Sequence, residues 1–496
     1  MDMITNYILA IDQSTSGTKA LVVNSEGKIT HKTAQAHKQY YPESGWVEHD
    51  PIEIYENVKQ VITEVLQLAS VSLNQYKVLA LTNQRETIVV WNKETGIPVY
   101  NAIVWQCRRT SDYCKGLKEK GFEDKIQSKT GLTIDPYFSA SKISWILDHV
   151  EGARKKANEG KLLLGTIDSW LIWKLTGESV HATDYTNASR TLLFNIHTLA
   201  WDDELLEIFN IPKTMLPEVK SSNDIFGKVN DPKLSFLGLP ISGIIGDSQG
   251  ALFGQKCFEK GMAKATYGTG TSVMMHTGSL VNAQNGLVTS VAWGIDGEVS
   301  YALEGIINST GDVLKWVKED LELFNDFSEI ETIATSIPNN QGVYLVPAFV
   351  GLGAPYWNPY ARAAIIGMNR NSGKAHIIRA ALESITYQVK DAIELMKTES
   401  NIAIKELKVD GGATNNVFLM QYQADILGSD VVVSMVAELS SLGSVYLAGL
   451  GVGIWNSIDD IKLLNQENIN YQPVISKELR DHYYLGWKNS VKSVLV

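Results

Sequence analysis

The chain opens twice in the same way. Tyr7-Ile-Leu-Ala-Ile11 is apolar, Asp12 to Lys19 is rich in small hydroxylated residues, and Ala20-Leu-Val-Val23 is apolar again. Far downstream, Ala263 to Tyr267 leads into Gly268-Thr-Gly270 and then into the apolar Val273-Met-Met275. Each stretch has the grammar of strand, tight turn, strand. At 496 residues the chain is also too long for one hydrophobic core, because cores stop growing at roughly 250–300 residues. Together these facts predict a duplication: two related α/β domains, 1–252 and 253–496, with a hinge near 250–262. The repeat is architectural, since the halves share few residues.

After each opening, strand and helix patterns alternate. Asp50-Pro-Ile-Glu53 predicts a helix start, with Asp as the cap, Pro at the first helical position and Glu in the first turn. Ile54, Val58, Val61, Val65 and Leu68 follow at helical spacing and should share a buried face. Val78 to Leu81 and Gly342 to Phe349 look strand-like. Ala375 to Met396 predicts a long helix with Ile378, Ala381, Leu382, Ile385 and Val389 on one side. Leu407 to Asp410 predicts a strand ending at Gly411-Gly412, and Val417 to Leu427 and Val445 to Leu450 predict helices.

Bulk composition excludes several function classes. A net charge of −11, from 44 basic and 55 acidic residues, argues against nonspecific binding to nucleic acid or anionic membrane. No apolar stretch approaches the ~18 residues of a membrane span. Met1-Asp-Met-Ile-Thr-Asn-Tyr7 lacks the basic segment of a secretory signal. Cys107, Cys114 and Cys257 are too few and too irregularly spaced for a disulfide framework or a zinc site. They suit reduced thiols in a cytoplasmic protein.

Four short runs carry chemistry. Asp12-Gln-Ser14-Thr15-Ser16-Gly-Thr-Lys19 would expose N–H groups and hydroxyls that wrap phosphate oxygens, with Lys19 adding charge. Asp12, at a strand end, can hold Mg²⁺ through water. An ordinary surface hairpin fits the same run. Asp410-Gly411-Gly412-Ala-Thr-Asn-Asn416 sets two glycines at a strand end before a helix, which permits close approach of a nucleotide. Capping of that helix by Thr414 or Asn415 is the simpler role. Arg85-Glu86 sets a donor beside an acceptor, suited to a small hydroxylated molecule, although Arg-Glu is also a common surface ion pair. Asp247, in Ile244-Ile-Gly-Asp-Ser-Gln-Gly250, is a carboxylate at a strand-to-helix junction, suited to taking a proton from a hydroxyl or to capping the helix. No Walker A pattern or Gly-x-Gly-x-x-Gly is present; Gly367 to Lys374 has five residues between its glycines, not four, and Ala375 follows. The set points to phosphoryl transfer from a nucleotide to an alcohol.

Longer runs carry a resemblance. Asn83-Gln-Arg-Glu-Thr87, Tyr100 to Thr110, Ile134-Asp-Pro-Tyr-Phe138, Gly165 to Lys174, Asp184 to Thr191, Pro347 to Trp357 and Val409 to Ala413 together resemble the glycerol kinases among the FGGY carbohydrate kinases. The resemblance implies two ribonuclease-H-like domains of the actin/hexokinase/Hsp70 ATPase superfamily closing over a cleft. It implies a polyol on the first and ATP mainly on the second. The implied reaction is Mg²⁺-dependent phosphorylation of glycerol to sn-glycerol 3-phosphate. Arg85, Glu86, Tyr137 and Asp247 would bind the polyol, with Trp105 on its carbon backbone and Asp247 also as general base and metal neighbour beside Asp12. Thr15, Ser16 and Lys19 would contact phosphate. Thr269, Gly311, Gly412 and Asn416, with Gly411, would contact the nucleotide. Relatives form homodimers and homotetramers.

Four positions depart from the family pattern. Ser14 replaces a Gly in the first loop. Ser248 replaces a Gln beside Asp247, Ser272 replaces a Phe expected against the glycerol carbons, and Lys315 replaces a Gln at the nucleotide. Ser248 and Ser272 imply a roomier, more polar pocket, so a kinase for a longer polyol or ketose (erythritol, threitol, xylitol or xylulose) is the alternative. The segment Val229 to Leu239 lacks both the Gly-Arg loop tied to sugar-bisphosphate inhibition and the His phosphorylated in some relatives, so neither control is expected.

Overall fold

The computed structural model describes residues 6–356, 358 and 360–495. Met1 to Thr5 and Trp357, both used in the sequence readings, lie outside the described residues. The chain forms two compact units. The first comprises Met1–Lys256, Ser290–Tyr301 and Glu438–Asn465; the second comprises Cys257–Thr289, Ala302–Ala437 and Gln466–Val496.

The first unit is built on a sheet of strands β1 (Tyr7–Gln13), β2 (Gly17–Asn24), β3 (Ile29–Ala36), β4 (Tyr76–Asn83) and β5 (Ile241–Gly246), in the order β5-β4-β1-β2-β3. β1 and β2 form the antiparallel hairpin expected from the sequence, with a shorter turn: Asp12 pairs with Lys19 and Gln13 with Thr18, leaving Ser14–Ser16 at the tip. β4 runs parallel to β1, and β5 parallel to β4. In this register Gln13 and Gly246 both align with Asn83. Asp12, Arg85 and Asp247 thus emerge together at the carboxyl edge of three parallel strands, where open α/β sheets place their ligands.

The helix Pro51–Ala69 covers this sheet. Asp50 caps it by accepting the Ile52 N–H at 2.8 Å. Ile54, Val58, Val61 and Val65 are fully buried, but Leu68 is 57% exposed. In the last turn Leu66 and Ala69 pack against the core instead, so the helical period extended to Leu68 chose the wrong residue.

Two helices, Asp247–Gly254 and Leu439–Gly451, pack almost backbone to backbone. A Cβ on Gly443 would stand 2.0 Å from the Gly250 carbonyl oxygen. Only glycine permits that approach, and it fixes the helix whose first residue is Asp247.

The second unit repeats the grammar. A second sheet contains β6 (Met262–Tyr267), β7 (Thr271–Gly278), β8 (Val288–Ile295), β9 (Glu298–Ile307), β10 (Glu406–Gly411), β11 (Val431–Ser434) and β12 (Asn468–Tyr471), in the order β8-β9-β7-β6-β10-β11-β12, and β6, β7, β10, β11 and β12 lie wholly in this unit. β6 and β7 form an antiparallel hairpin, with β10 parallel to β6 and β11 parallel to β10. This is the β1–β2–β4–β5 arrangement over again. Tyr267 aligns with Gly411, so the Gly268–Gly270 turn and Gly411-Gly412 share one sheet edge. The helix Lys374–Ser400 buries Ile378, Ala381, Leu382, Ile385 and Val389 in this unit's core. Gly342–Phe349 contributes only the short strand Tyr344–Val346. Among the described residues, no helix is long and apolar enough to cross a membrane.

Candidate functional site

Arg85 and Glu86 are not a surface pair. They are 5% and 1% exposed, just beyond the end of β4. The Arg85 Nε lies 3.3 Å from Asp247 Oδ1 and 4.0 Å from Glu86 Oε1. Its Nη1 donates to Gln249 Oε1 at 3.2 Å. One guanidinium therefore gathers two carboxylates and the amide that follows Asp247 by half a helical turn. Glu86 adopts φ 61°, an unusual left-handed conformation for a non-glycine residue. It is held there from two sides. Ser139 Oγ donates to the Glu86 carbonyl at 2.8 Å, and Arg190 Nε donates to its carboxylate at 2.5 Å.

Asp247 opens its helix and keeps its side chain 37% exposed, while its Oδ1 accepts the Ser248 N–H at 2.6 Å. A carboxylate anchored by a guanidinium yet open to solvent is placed to receive a proton. Trp105 and Tyr137, both half-buried, meet with ring centroids 5.2 Å apart. The Arg190 guanidinium lies 6.0 Å from the Tyr137 ring centroid. One series of contacts thus links Trp105, Tyr137, Arg190, Glu86, Arg85 and Asp247. An apolar wall stands beside a row of fixed donors and acceptors, which suits a small neutral polyol.

The first turn sits alongside. Trp105 Nε1 donates to Thr15 Oγ1 at 2.9 Å. Ser14 closes the turn through its own Oγ, 2.9 Å from the Gly17 carbonyl, so the hydroxyl that replaces the family glycine is used within the hairpin. Ser16 is exposed at the tip. Lys19 is paired with Glu438 at 2.7 Å, and Lys32 binds the same carboxylate at 3.0 Å. Asp12 is 7% exposed and accepts from Ser441 Oγ at 3.2 Å. Burial, reinforced by the nearby Asp247 and Glu438 charges against the pull of Lys19, pushes its carboxyl up to about 6.

In the second unit, a cavity of about 590 Å³ is lined by Gly311, Gly412 and Asn416 together with Phe327, Glu331 and Asn415. Gly311 donates its N–H to the Gly268 carbonyl at 3.0 Å, and Thr310 its own to Thr269 at 3.0 Å, which ties the Gly-Thr-Gly turn to the cavity wall. A Cβ on Gly411, at φ 101°, would strike the Tyr267 carbonyl oxygen at 2.1 Å, whereas around Gly412 there is open space. Gly411 is therefore required by strand packing, and Gly412 leaves room for a ligand. The helix cap is neither Thr414 nor Asn415: Asn416 caps Val417–Leu427 by accepting the Leu419 N–H at 2.8 Å.

Two further positions belong to the second unit. Lys315 is 65% exposed and pairs with Glu319 at 3.6 Å along its helix, and it does not line the cavity. Ser272, on β7 in the second unit, donates to the buried Glu304 at 3.1 Å, with Lys264 Nζ 3.4 Å away. Sequence reasoning gave no role to Arg190, Gln249 or Phe327. Arg190 lies inside the run Asp184–Thr191, which carried the resemblance, but its partner Glu86 is far away in sequence.

The model of the FGGY carbohydrate kinase N-terminal domain matches residues 7–254, and that of the C-terminal domain matches residues 263–452. The chain is 51% identical over 490 residues to glycerol kinases of Shigella dysenteriae and Escherichia coli, covering 99% of this chain and 98% of each relative. The crystal structure of Plasmodium falciparum glycerol kinase with ADP superposes with a TM-score of 0.95 at 38% identity, covering 99% of both chains. A xylulose kinase from Lactobacillus acidophilus has the same fold, with a TM-score of 0.89 at 21% identity over 98% of this chain and 97% of that one. With both domain models matched in order along a two-unit α/β chain, this protein belongs to the FGGY family of carbohydrate kinases.

Proposed function

We propose that this chain is an ATP-dependent glycerol kinase that forms sn-glycerol 3-phosphate. The observation that carries the reading is the strand register that brings Arg85 within 3.3 Å of Asp247, beside the buried Glu86. The named activity of relatives at 51% identity over nearly the whole chain supports it.

In this reading the first unit, with its later segments Ser290–Tyr301 and Glu438–Asn465, binds the polyol and the second binds the nucleotide. Arg85 donates to the glycerol hydroxyls, Glu86 accepts from them, and Trp105 and Tyr137 cover the carbons. The third hydroxyl is held at Asp247. Its oxygen forms a bond to the γ-phosphorus as the bond from that phosphorus to the β-bridging oxygen breaks. Asp247 takes the hydroxyl proton and ADP leaves with the bridging oxygen. The Ser14–Ser16 turn and Lys19 face phosphate oxygens, and Gly412 and Asn416 the nucleoside.

The residues present fit Mg²⁺. Among the described residues no cluster of three His, Cys, Asp or Glu side chains could hold a metal. Mg²⁺ needs no such cage, because it keeps its waters and binds through one or two carboxylates plus substrate phosphates. Asp12 and Asp247 would hold it; burial, with a smaller part from Asp247, raises the Asp12 carboxyl, and a divalent cation between them would offset both effects. When bound, the ion neutralises phosphate charge.

A longer substrate is the second reading, favoured by Ser248, whose small side chain follows Asp247 where a Gln would fill more of the site. The test is ADP release from Mg-ATP with glycerol, dihydroxyacetone, erythritol, threitol, xylitol and xylulose. The expected result is the highest kcat/KM on glycerol. Preference for a tetritol or pentitol would replace glycerol as the substrate, and no turnover on any of them would overturn the kinase reading.

A further inference from the structure

Lys142 is 0% exposed, in the first turns of the helix Ser139–His149. A lysine there is costly twice over. Its ammonium loses its water, and it sits at the positive end of the helix dipole. Burial pushes it down to about 8. No carboxylate forms an ion pair with it among the described salt bridges. Instead its Nζ donates to three consecutive main-chain carbonyls: Pro136, Tyr137 at 2.9 Å and Phe138 at 3.2 Å. Those residues form the loop that presents the Tyr137 ring to Trp105 and Arg190. The same helix start gathers the rest of the site. Ser139 holds the Glu86 carbonyl, and the Ala140 N–H donates to the Thr191 carbonyl at 2.9 Å, next to Arg190.

We propose that Lys142 is a positioning residue for the polyol site, clamping the 136–138 loop so that Tyr137 stands at a fixed distance from Trp105 and Arg190. The inference rests on the polyol reading of that site. Three carbonyls drawn onto one cation define the loop's path more tightly than a turn with a single hydrogen bond. A ring that can shift by about 1 Å forfeits much of its hold on a ligand. Lys142 touches no substrate and acts only through Tyr137.

The experiment is steady-state kinetics of the full chain for wild type, Lys142→Met, Tyr137→Ala and the double variant, with active sites counted by bound nucleotide. Where Lys142→Met does not fold, Lys142→Gln, which keeps two donors, takes its place. The expected result is a glycerol KM raised about tenfold or more, with the ATP KM within about twofold of wild type. In the Tyr137→Ala background, Lys142→Met should raise the glycerol KM no further. An unchanged glycerol KM with only fewer active molecules would make Lys142 purely structural and overturn the proposal, as would a full tenfold increment on top of Tyr137→Ala. A wild type without polyol turnover would instead remove the functional reading, and the clamp with it.

Discussion

The Glu86 carboxylate accepts the Arg190 Nε–H at 2.5 Å, and both side chains are at most 1% exposed. A buried ion pair of this kind is worth little against an apolar pair, but removing one partner leaves the other charge stranded. The Arg190 Nη1 also donates to Ser290 Oγ at 2.7 Å, so the pair joins segments far apart in the chain.

Replacing Arg190 by Met should therefore cost about 3–5 kcal/mol of stability and raise the glycerol KM. Denaturant unfolding followed by activity titration would read both effects. A loss below ~1 kcal/mol would mean that Glu86 takes up a proton without penalty.

Asp247→Asn keeps the size of the side chain and its contact with the Ser248 N–H but cannot take a proton. The kcat on glycerol should fall by about 10²–10⁴, while calorimetric ADP affinity stays near wild type. Retained turnover would take the general base away from Asp247.

Phe327 is 46% exposed on the wall of the second unit's cavity, backed by Phe324 at 5.5 Å between centroids. If the base stacks on this ring, Phe327→Ala should raise the ATP KM about tenfold and leave the glycerol KM unchanged. Equal effects on both would point to local unfolding.

Asp168 is fully buried, bonded only to uncharged donors, among them Thr166 and Thr183 hydroxyls at 2.5 and 2.6 Å. Burial, with repulsion from Asp184, pushes its carboxyl up to about 7. A carboxyl raised in the folded state contributes stability that is full below the unfolded value near 4 and is lost as pH rises through 7. The cost at alkaline pH reaches up to ~4 kcal/mol. Asp168→Asn should thus raise the Tm at pH 8 and lose that advantage near pH 5. A Tm difference independent of pH would mean that Asp168 does not titrate in this range.

Much of the scaffold was legible because its signals are local. Asp50-Pro51 starts its helix through its own neighbours, Val417–Leu427 follows its apolar period to the residue, and the two hairpins announce themselves by small turn residues between apolar runs. Leu68 fails for the same reason, since a local period cannot say which of several apolar residues in a last turn, Leu66, Leu68 or Ala69, the core will take.

The sequence by itself determined the repeated α/β grammar, the family, and the residue types that can bind a polyol, because these follow from patterns a few residues long and from runs that survive as runs. Only the tertiary structure decided which groups meet. Arg85 reaches Asp247 because β4 and β5 are parallel and in register. Lys19 is paired with Glu438, and Asp12 is made a weak acid by burial beside Asp247. Arg190 and Lys142 belong to no chemical motif, and their partners are a carboxylate about a hundred residues away and three bare carbonyls. Electrostatic energy depends on distance and on exclusion of water, and neither is written in the order of residues along a chain.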